Sequence, residues 1–509
     1  VDSRSSTVDD VLRRSAARTP NRVALRFDDR AWTYAEMEAA VSRAAAALAE
    51  LGVSQGDRVA AYGRNSDAYV IGFLACARAG VIHVPLNYNL AGDELAYLVE
   101  QSGSSAVLTD PDLAGGLPEH VSLRRLPLRD APGSLLEQAS AGPVPELGVD
   151  VADTDLVQLL YTSGTTSQPK GAKMTHRALI HEYVSCVTAL DLDEHDEPLH
   201  VMPLYHSAQL HAFLMPALMM GATNHVVEVP DPGDILERIE RFGHTAFFAA
   251  PTLWVALSNH PDLTRRDLGS LRKAYYGASI MPIPVLQKLR ETLPQLAFYN
   301  AFGQSEIAPL ATVLRPEHHV EGRLESAGRP VLFVELRVVD ETGADVPTGE
   351  QGEVVYRSPQ LATGYWDKPE ETAEAFRDGW FHSGDLVRQD EDGFIYVVDR
   401  IKDVINTGGV LVASRDVEDV LYTHSGVAEV AVIGVSDPKW IEAIVAIVVI
   451  QEDVAADEVT EKSLIEHARE RLAPFKVPKQ VHLVEDLPRN ASGKLLKRVL
   501  RDHFTVPAE

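Results

Sequence analysis

The chain has 509 residues, 45% hydrophobic and 24% charged, a balance that supports a large buried core. Lysine and arginine total 47 against 74 aspartates and glutamates, a formal net charge of −27 at pH 7. That balance excludes a general nucleic-acid binder, because a phosphate backbone needs a basic face, but leaves room for a small anionic substrate held by local cations.

The predicted elements alternate along the first third. Val23–Phe27 reads as a strand, followed by a turn at 28–30. Thr33 and Glu36 form a capping box that opens a helix. Met37, Ala40, Val41, Ala44, Ala45, Leu48 and Leu51 continue it at helical spacing until Gly52. A strand from Asp57, a helix over 67–78 and a strand over 81–84 follow. This rhythm predicts an α/β fold with mostly parallel strands. Residues 110–150, rich in Pro, Gly and Leu without period, read as a loosely ordered crossing. Alternation resumes over 155–315, and a β-rich stretch follows over 323–400. Beyond it, strands at 427–435 and 443–450 and helices at 414–423 and 460–472 predict a small α+β domain. Two domains are therefore expected, 1–400 and 401–509.

The two cysteines, Cys76 and Cys186, lie far apart and outside any metal-ligand spacing. They exclude a disulfide framework and point to a reducing, cytoplasmic compartment. The longest apolar run, 212–222, is too short to span a bilayer. No basic start followed by an apolar run marks a secretory signal. His318-His319 lacks a third ligand and is assigned to the surface.

The most informative stretch runs from Tyr161 to Gly171. Behind the apolar strand 156–161 it packs Thr162, Ser163, Gly164, Thr165 and Thr166, then Ser167 and Lys170. Hydroxyls, free backbone N–H groups and a lysine can surround phosphate oxygens, although the Gly-Lys-Ser/Thr of a Walker A loop is absent. Alone it could be a surface turn. It is followed in order by Met202-Pro203-Leu204-Tyr205-His206, Phe302-Gly303-Gln304-Ser305-Glu306, Phe381-His382-Ser383-Gly384-Asp385, Asp399-Arg400-Ile401-Lys402-Asp403 and Arg489-Asn490-Ala491-Ser492-Gly493-Lys494.

This ordered series, from about residue 8 to 502, resembles the adenylate-forming superfamily of acyl-CoA synthetases, peptide-synthetase adenylation domains and luciferases. The resemblance implies a ligase that joins a carboxylic acid to ATP as an acyl-adenylate and then passes the acyl group to coenzyme A. It implies a large N-terminal domain and a small mobile C-terminal lid. Thr162, Ser163, Gly164, Thr165, Thr166 and Lys170 would grip the triphosphate. Gly277, Ala278, Ser279, Phe302 and Gly303 would enclose the adenine. Ser305 would touch the α-phosphate, and Glu306 with Thr162 would hold Mg²⁺. Asp385 would accept the ribose hydroxyls beside Arg400. Lys494 would bridge the two reacting anions. His206 would border the acyl carboxylate, with Ser207, Ala208, Ala212, Ala278, Pro309 and Leu310 lining an acyl pocket. No Lys or Arg among them pairs a second carboxylate, so a fatty, aromatic or polycyclic acid is expected. Lys402 would be the hinge. Gly408 and Gly409 would wall the pantetheine path, and Trp440, Phe475 and Lys476 would meet the CoA nucleotide, Trp440 being equally readable as core. A homodimer without a membrane span is the expected assembly.

Five departures stand out. Ser167 replaces a usual glycine in the phosphate loop, Phe302 a usual tyrosine, Ser305 a usual threonine, and Ile441 a usual glycine after Trp440. Val410-Leu411-Val412 also replaces the usual Glu-Asn-hydrophobic run. Three readings therefore stand: a complete acid–CoA ligase, an enzyme that loads a carrier protein, or a relative weak in adenylation and competent in thioester formation.

Overall fold

The computed structural model describes residues 5–117, 123–162, 168–279, 281–408, 410–437, 439–451, 459–489 and 495–504. Two compact units share them. The larger runs through Thr162 and takes in Pro169–Leu336 and Tyr356–Phe381; the smaller takes in Arg337–Val355 and the chain from His382 onward.

The larger unit contains two mostly parallel sheets. In the first, six strands lie in the order Arg124–Pro127, Ala106–Thr109, Arg58–Tyr62, Ile82–Pro85, Leu156–Thr162 and Lys170–Thr175. Only the last pair is antiparallel. In the second, six parallel strands, from Ala297–Phe302 to Val23–Phe27, are flanked by antiparallel edges. The expected helices are present. Thr33 and Glu36 form the reciprocal capping box, and the helix Tyr34–Glu50 buries the periodic side chains from Met37 to Leu48. The helix Asp67–Arg78 buries nearly every residue, which is why its sequence is apolar on all sides.

Residues 110–150 correct the expectation of a loose crossing. Arg124–Pro127 is an edge strand, and Leu135–Ser140 is a short helix whose Leu135, Leu136 and Ala139 join the core. His319 is a second correction. It is 2% exposed, with Nε2 3.0 Å from the Tyr276 hydroxyl and Nδ1 2.9 Å from the Arg315 carbonyl, so it is a core histidine. Among the described residues no group of three His, Cys, Asp or Glu side chains is placed to hold a metal. No described helix is long and apolar enough to cross a membrane.

The smaller unit holds a sheet ordered Val410–Val412, Ile405–Thr407, Ile441–Ile450, Val427–Asp437, with Gln480–Leu483 parallel to Ile441–Ile450. Val417, Leu421, Val432, Ile444, Val448 and Leu464 pack its core. Ile441 opens its strand at φ +69°, a conformation that crowds a β-branched side chain. Its side chain is 57% exposed and gains little from burial. Ile441→Gly is therefore expected to stabilise the smaller unit by about 1 kcal/mol, relief of strain outweighing the extra entropy of glycine. Denaturant unfolding measures this, and a lower midpoint for the glycine variant would refute it.

Candidate active site

In the second sheet, Pro198–His200, Ala246–Ala249, Lys273–Gly277 and Ala297–Phe302 run side by side and parallel. The segments that follow them therefore leave from one edge. These include Met202–His206, the Gly277-Ala278-Ser279 turn and the Gly303–Glu306 turn. The carboxyl edge of parallel strands is where open α/β sheets bind ligands. Two glycines are required by close approach. A Cβ at Gly277 would lie 2.1 Å from the Ala301 carbonyl oxygen, and one at Gly303 would lie 2.0 Å from that of Pro309. Ala278 takes φ +64° and is exposed together with Ser279, while Phe302 is half-buried.

The Gly303–Glu306 turn gathers several of the expected residues. Ser305 Oγ lies 3.1 Å from Ser207 Oγ, joining this turn to the segment that follows His206. The Glu306 carboxylate is buried and accepts the Tyr365 hydroxyl at 3.0 Å, while its backbone carbonyl accepts Ala362 N–H at 2.8 Å. The Lys170 ammonium sits 5.2 Å from the Tyr365 ring centre. Tyr365 thus ties together the lysine of one motif and the carboxylate of another. Thr162 pairs with Lys170 across the hairpin, and its hydroxyl faces the Lys170 carbonyl at 3.5 Å. Ser163, Gly164, Thr165, Thr166 and Ser167 lie outside the described residues.

Apart from Ala278, the residues expected to line the acyl pocket lie on two segments of the larger unit. Ala208 and Ala212 belong to a π-helix, Ala208–Leu214, that follows the half-buried His206 and buried Ser207. Such wide turns recur at functional sites. Within it His211 is fully buried. Its Nε2 lies 2.7 Å from Gln158 Oε1 and its Nδ1 2.9 Å from the Tyr183 hydroxyl. Burial pushes the His211 imidazole down to about 3, so it is neutral at physiological pH. Gln158 continues to His83 Nδ1 at 3.0 Å. This chain fixes the π-helix to the strand Leu156–Thr162, which runs into the hydroxyl-rich loop. The other expected residues, Pro309 and Leu310, come just after the Ser305-Glu306 turn, with Leu310 2% exposed.

The smaller unit positions the other candidates. Asp385 and Arg400 are register partners on adjacent antiparallel strands. Arg400 Nε meets Asp385 Oδ1 at 2.6 Å, with Asp385 3% exposed. Glu353 supports the approach to Asp385: one oxygen lies 2.8 Å from His382 Nδ1, and the other accepts Gly384 N–H at 2.9 Å. Lys402 is exposed in the short turn Ile401–Asp403, and Arg501 anchors Asp403 at 2.7 Å. Gly408 at φ +65° donates its N–H to the Trp440 carbonyl. Lys439 and Lys479 carry their ammonium groups 4.8 and 4.9 Å from the Trp440 ring centre. Trp440 is half-buried, Phe475 is 39% exposed, and Lys476 is paired with Asp416. Gly409 and Lys494 lie outside the described residues.

Tyr365, Glu353 and His211 join the site from outside every motif of the sequence. Tyr365 lies 59 positions from Glu306, and Glu353 29 from His382, so no local spacing reveals these contacts.

Residues 12–366 match the AMP-binding enzyme family, and residues 416–494 match the AMP-binding enzyme C-terminal domain. The chain is 39% identical over 491 residues to a feruloyl-CoA synthase of Amycolatopsis sp, covering 96% of this chain and 98% of that protein. It is 37% identical to a medium/long-chain-fatty-acid–CoA ligase of Mycobacterium tuberculosis, covering 80% of this chain and 74% of that one. Its fold matches the o-succinylbenzoate CoA synthetase of Bacillus subtilis, solved with an acyl-adenylate intermediate, at a TM-score of 0.87 and 31% identity over 98% of both chains. The chain therefore belongs to the AMP-binding enzyme family: it is an AMP-forming acyl-CoA synthetase, a ligase that makes carbon–sulfur bonds from a carboxylic acid, ATP and CoA with Mg²⁺.

Proposed function

We propose that the acid is aromatic, of the arylpropenoic class. The feruloyl-CoA synthase similarity over nearly the whole chain carries this reading. The small or apolar Ser207, Ala208, Ala212, Pro309 and Leu310 are compatible with a flat ring and offer no cation to a second carboxylate.

In this reading residues 1–400 bind the acid and ATP, and residues 401–509 form a lid that swings about Lys402. Lys170 and the hydroxyls of 162–166 hold the triphosphate. Gly277, Ala278, Ser279, Phe302 and Gly303 enclose the adenine, and Asp385 with Arg400 holds the ribose. Ser305 donates to the α-phosphate. Glu306 and Thr162 suit Mg²⁺, since both offer hard oxygen, and the Tyr365 hydroxyl orients the buried carboxylate. When bound, the ion neutralises charge on the phosphates. His206 covers the reacting carboxylate and turns aside for the thiol. Gly408, Gly409, Trp440, Phe475 and Lys476 receive CoA. The cytoplasmic location rests on the two buried unpaired cysteines, and a homodimer is the expected assembly.

The test incubates the protein with ATP, Mg²⁺, CoA and a panel of arylpropenoic, fatty and polycyclic acids, and separately with preformed acyl-adenylates. Mass spectrometry reads the thioesters. Arylpropenoic acids should give the highest kcat/KM; a preference for fatty acids would overturn the substrate class.

Ser167→Gly bears on how well adenylation works. A phosphate loop acts through backbone N–H groups, so a residue that restricts φ weakens it. The glycine variant is expected to raise kcat/KM for ATP in pyrophosphate release by about two- to fivefold. Conversion of supplied acyl-adenylate should not change, since pyrophosphate has left by then. An unaltered pyrophosphate rate would show that the serine is tolerated.

A further inference from the structure

The helix His176–Ala189 carries a fully buried carboxylate, Glu182, that forms no ion pair among the described residues. Burying a carboxylate without a cation is costly unless donors surround it. Three do. Leu310 N–H and the Cys186 thiol reach Oε1 at 2.9 and 3.2 Å, and Gln360 Nε2 reaches Oε2 at 2.5 Å. Gln360 is itself fully buried. Its Oε1 accepts the Ser185 hydroxyl at 2.6 Å, and its Nε2 also donates to the Leu310 carbonyl at 3.1 Å. Both main-chain polar groups of Leu310 are thus held by side chains, the N–H by Glu182 and the carbonyl by Gln360.

This double grip falls on the residue that follows Pro309. The same stretch is tied upstream by Ser305 to Ser207 and by the Glu306 carbonyl to Ala362. Tyr183, the next residue on the same helix, holds His211 of the π-helix. One helix therefore fastens both the π-helix and the Pro309–Leu310 segment through adjacent buried polar residues. A main-chain amide could be satisfied more cheaply by a carbonyl or a hydroxyl. Burial raises the Glu182 pKa well above the usual carboxylate range, and the Cys186 and Leu310 donors pull it back. Whatever its charge, the two oxygens of one rigid carboxyl group hold Leu310 N–H and Gln360 Nε2 at once, which leaves less freedom of position than a single carbonyl or hydroxyl would.

We propose that Glu182 and Gln360 are positioning residues that fix the Pro309–Leu310 wall and so set which acids the enzyme selects. The proposal rests on the reading of Pro309 and Leu310 as acyl-pocket residues. Neither Glu182 nor Gln360 touches the acid; they act through the Leu310 backbone.

The experiment measures pyrophosphate release by wild type, Glu182→Gln and Ser185→Ala on a series of acids graded in width and length. Glu182→Gln keeps the shape but sets an amide N–H₂ against a donor. Its KM for the preferred acid should rise at least fivefold, the ranking of acids should change, and KM for ATP should stay within twofold. Ser185→Ala removes only the bond that orients Gln360 and should move acid KM two- to threefold in the same direction. It carries the test if Glu182→Gln fails to fold. A general loss of structure would raise both KM values together or lower kcat alone, and either pattern overturns the proposal. So does an unchanged acid ranking in folded variants of an active enzyme. A wild type inactive on every acid would overturn the underlying functional reading, and this proposal with it.

Discussion

Replacing Lys494 with alanine is expected to lower acyl-adenylate formation about 10³-fold while leaving conversion of supplied acyl-adenylate to acyl-CoA within about threefold of wild type. The first half-reaction brings two anions together, a carboxylate and the α-phosphate. Charge grows on the phosphate oxygens as they meet, and a lysine between them is strongest at that moment. In the second half-reaction the thiol attacks a carbonyl and AMP leaves, so no carboxylate needs neutralising. The chain on both sides of this lysine is well fastened. Arg489 pairs with Glu429 at 2.8 Å and bridges to Leu495, and Lys497 is half-buried against Glu418 at 2.8 Å. Loss of one side chain between such anchors should leave the fold intact. Pyrophosphate release and thioester formation are assayed separately. An equal fall in both would make Lys494 structural and remove its catalytic assignment.

The elements of the larger unit were legible wherever one local rule dominated. Thr33 and Glu36 announced a helix because a hydroxyl and a carboxylate three apart satisfy the same two N–H groups that the structure shows satisfied. The stretch 110–150 carries the same kind of signal in a weaker form. Ser134 stands three residues before Glu137 and accepts its N–H at 3.3 Å, opening the short helix. One and a half turns carry too little periodicity to stand out among prolines and glycines. The four-residue edge strand Arg124–Pro127 gave less still.

The site was legible as a set of motifs, and its assembly was not. Asp385 and Arg400 are 15 positions apart, and only strand pairing brings them to 2.6 Å. Glu182, Gln360 and Tyr365 lie in no motif; each acquires its meaning from a partner 59 to 178 positions away. His319 was misassigned for the same reason. The want of a third metal ligand assigns the His318-His319 pair to the surface, whereas the Tyr276 hydroxyl that His319 meets is 43 positions upstream. Lys497 shows the converse. It belongs to a basic tail that reads as solvated, yet Glu418 and Ser414 hold it inside, and the nearby acidic groups raise its pKa against the desolvation that would lower it.

Lys402→Pro is expected to do the opposite of Lys494→Ala: adenylation persists and thioester formation falls about a hundredfold. Lys402 occupies a turn of three residues between two fixed points, Arg400 against Asp385 and Asp403 against Arg501. Rotation of the chain within this turn would carry everything after it. A proline ring fixes φ at 402, and its Cδ restricts the backbone of Ile401 as well. The turn then loses the freedom that a swing between two poses requires, and the chain should stay in the adenylating one. The side chain itself is exposed, so its loss should cost little stability. Lys402→Ala is the control, since it removes the ammonium and leaves the backbone free; both half-reactions should then stay near wild type. If the proline variant turned over CoA normally, the hinge would lie elsewhere. If the alanine variant lost thioester formation as fully as the proline variant, the ammonium rather than the backbone would be what Lys402 supplies.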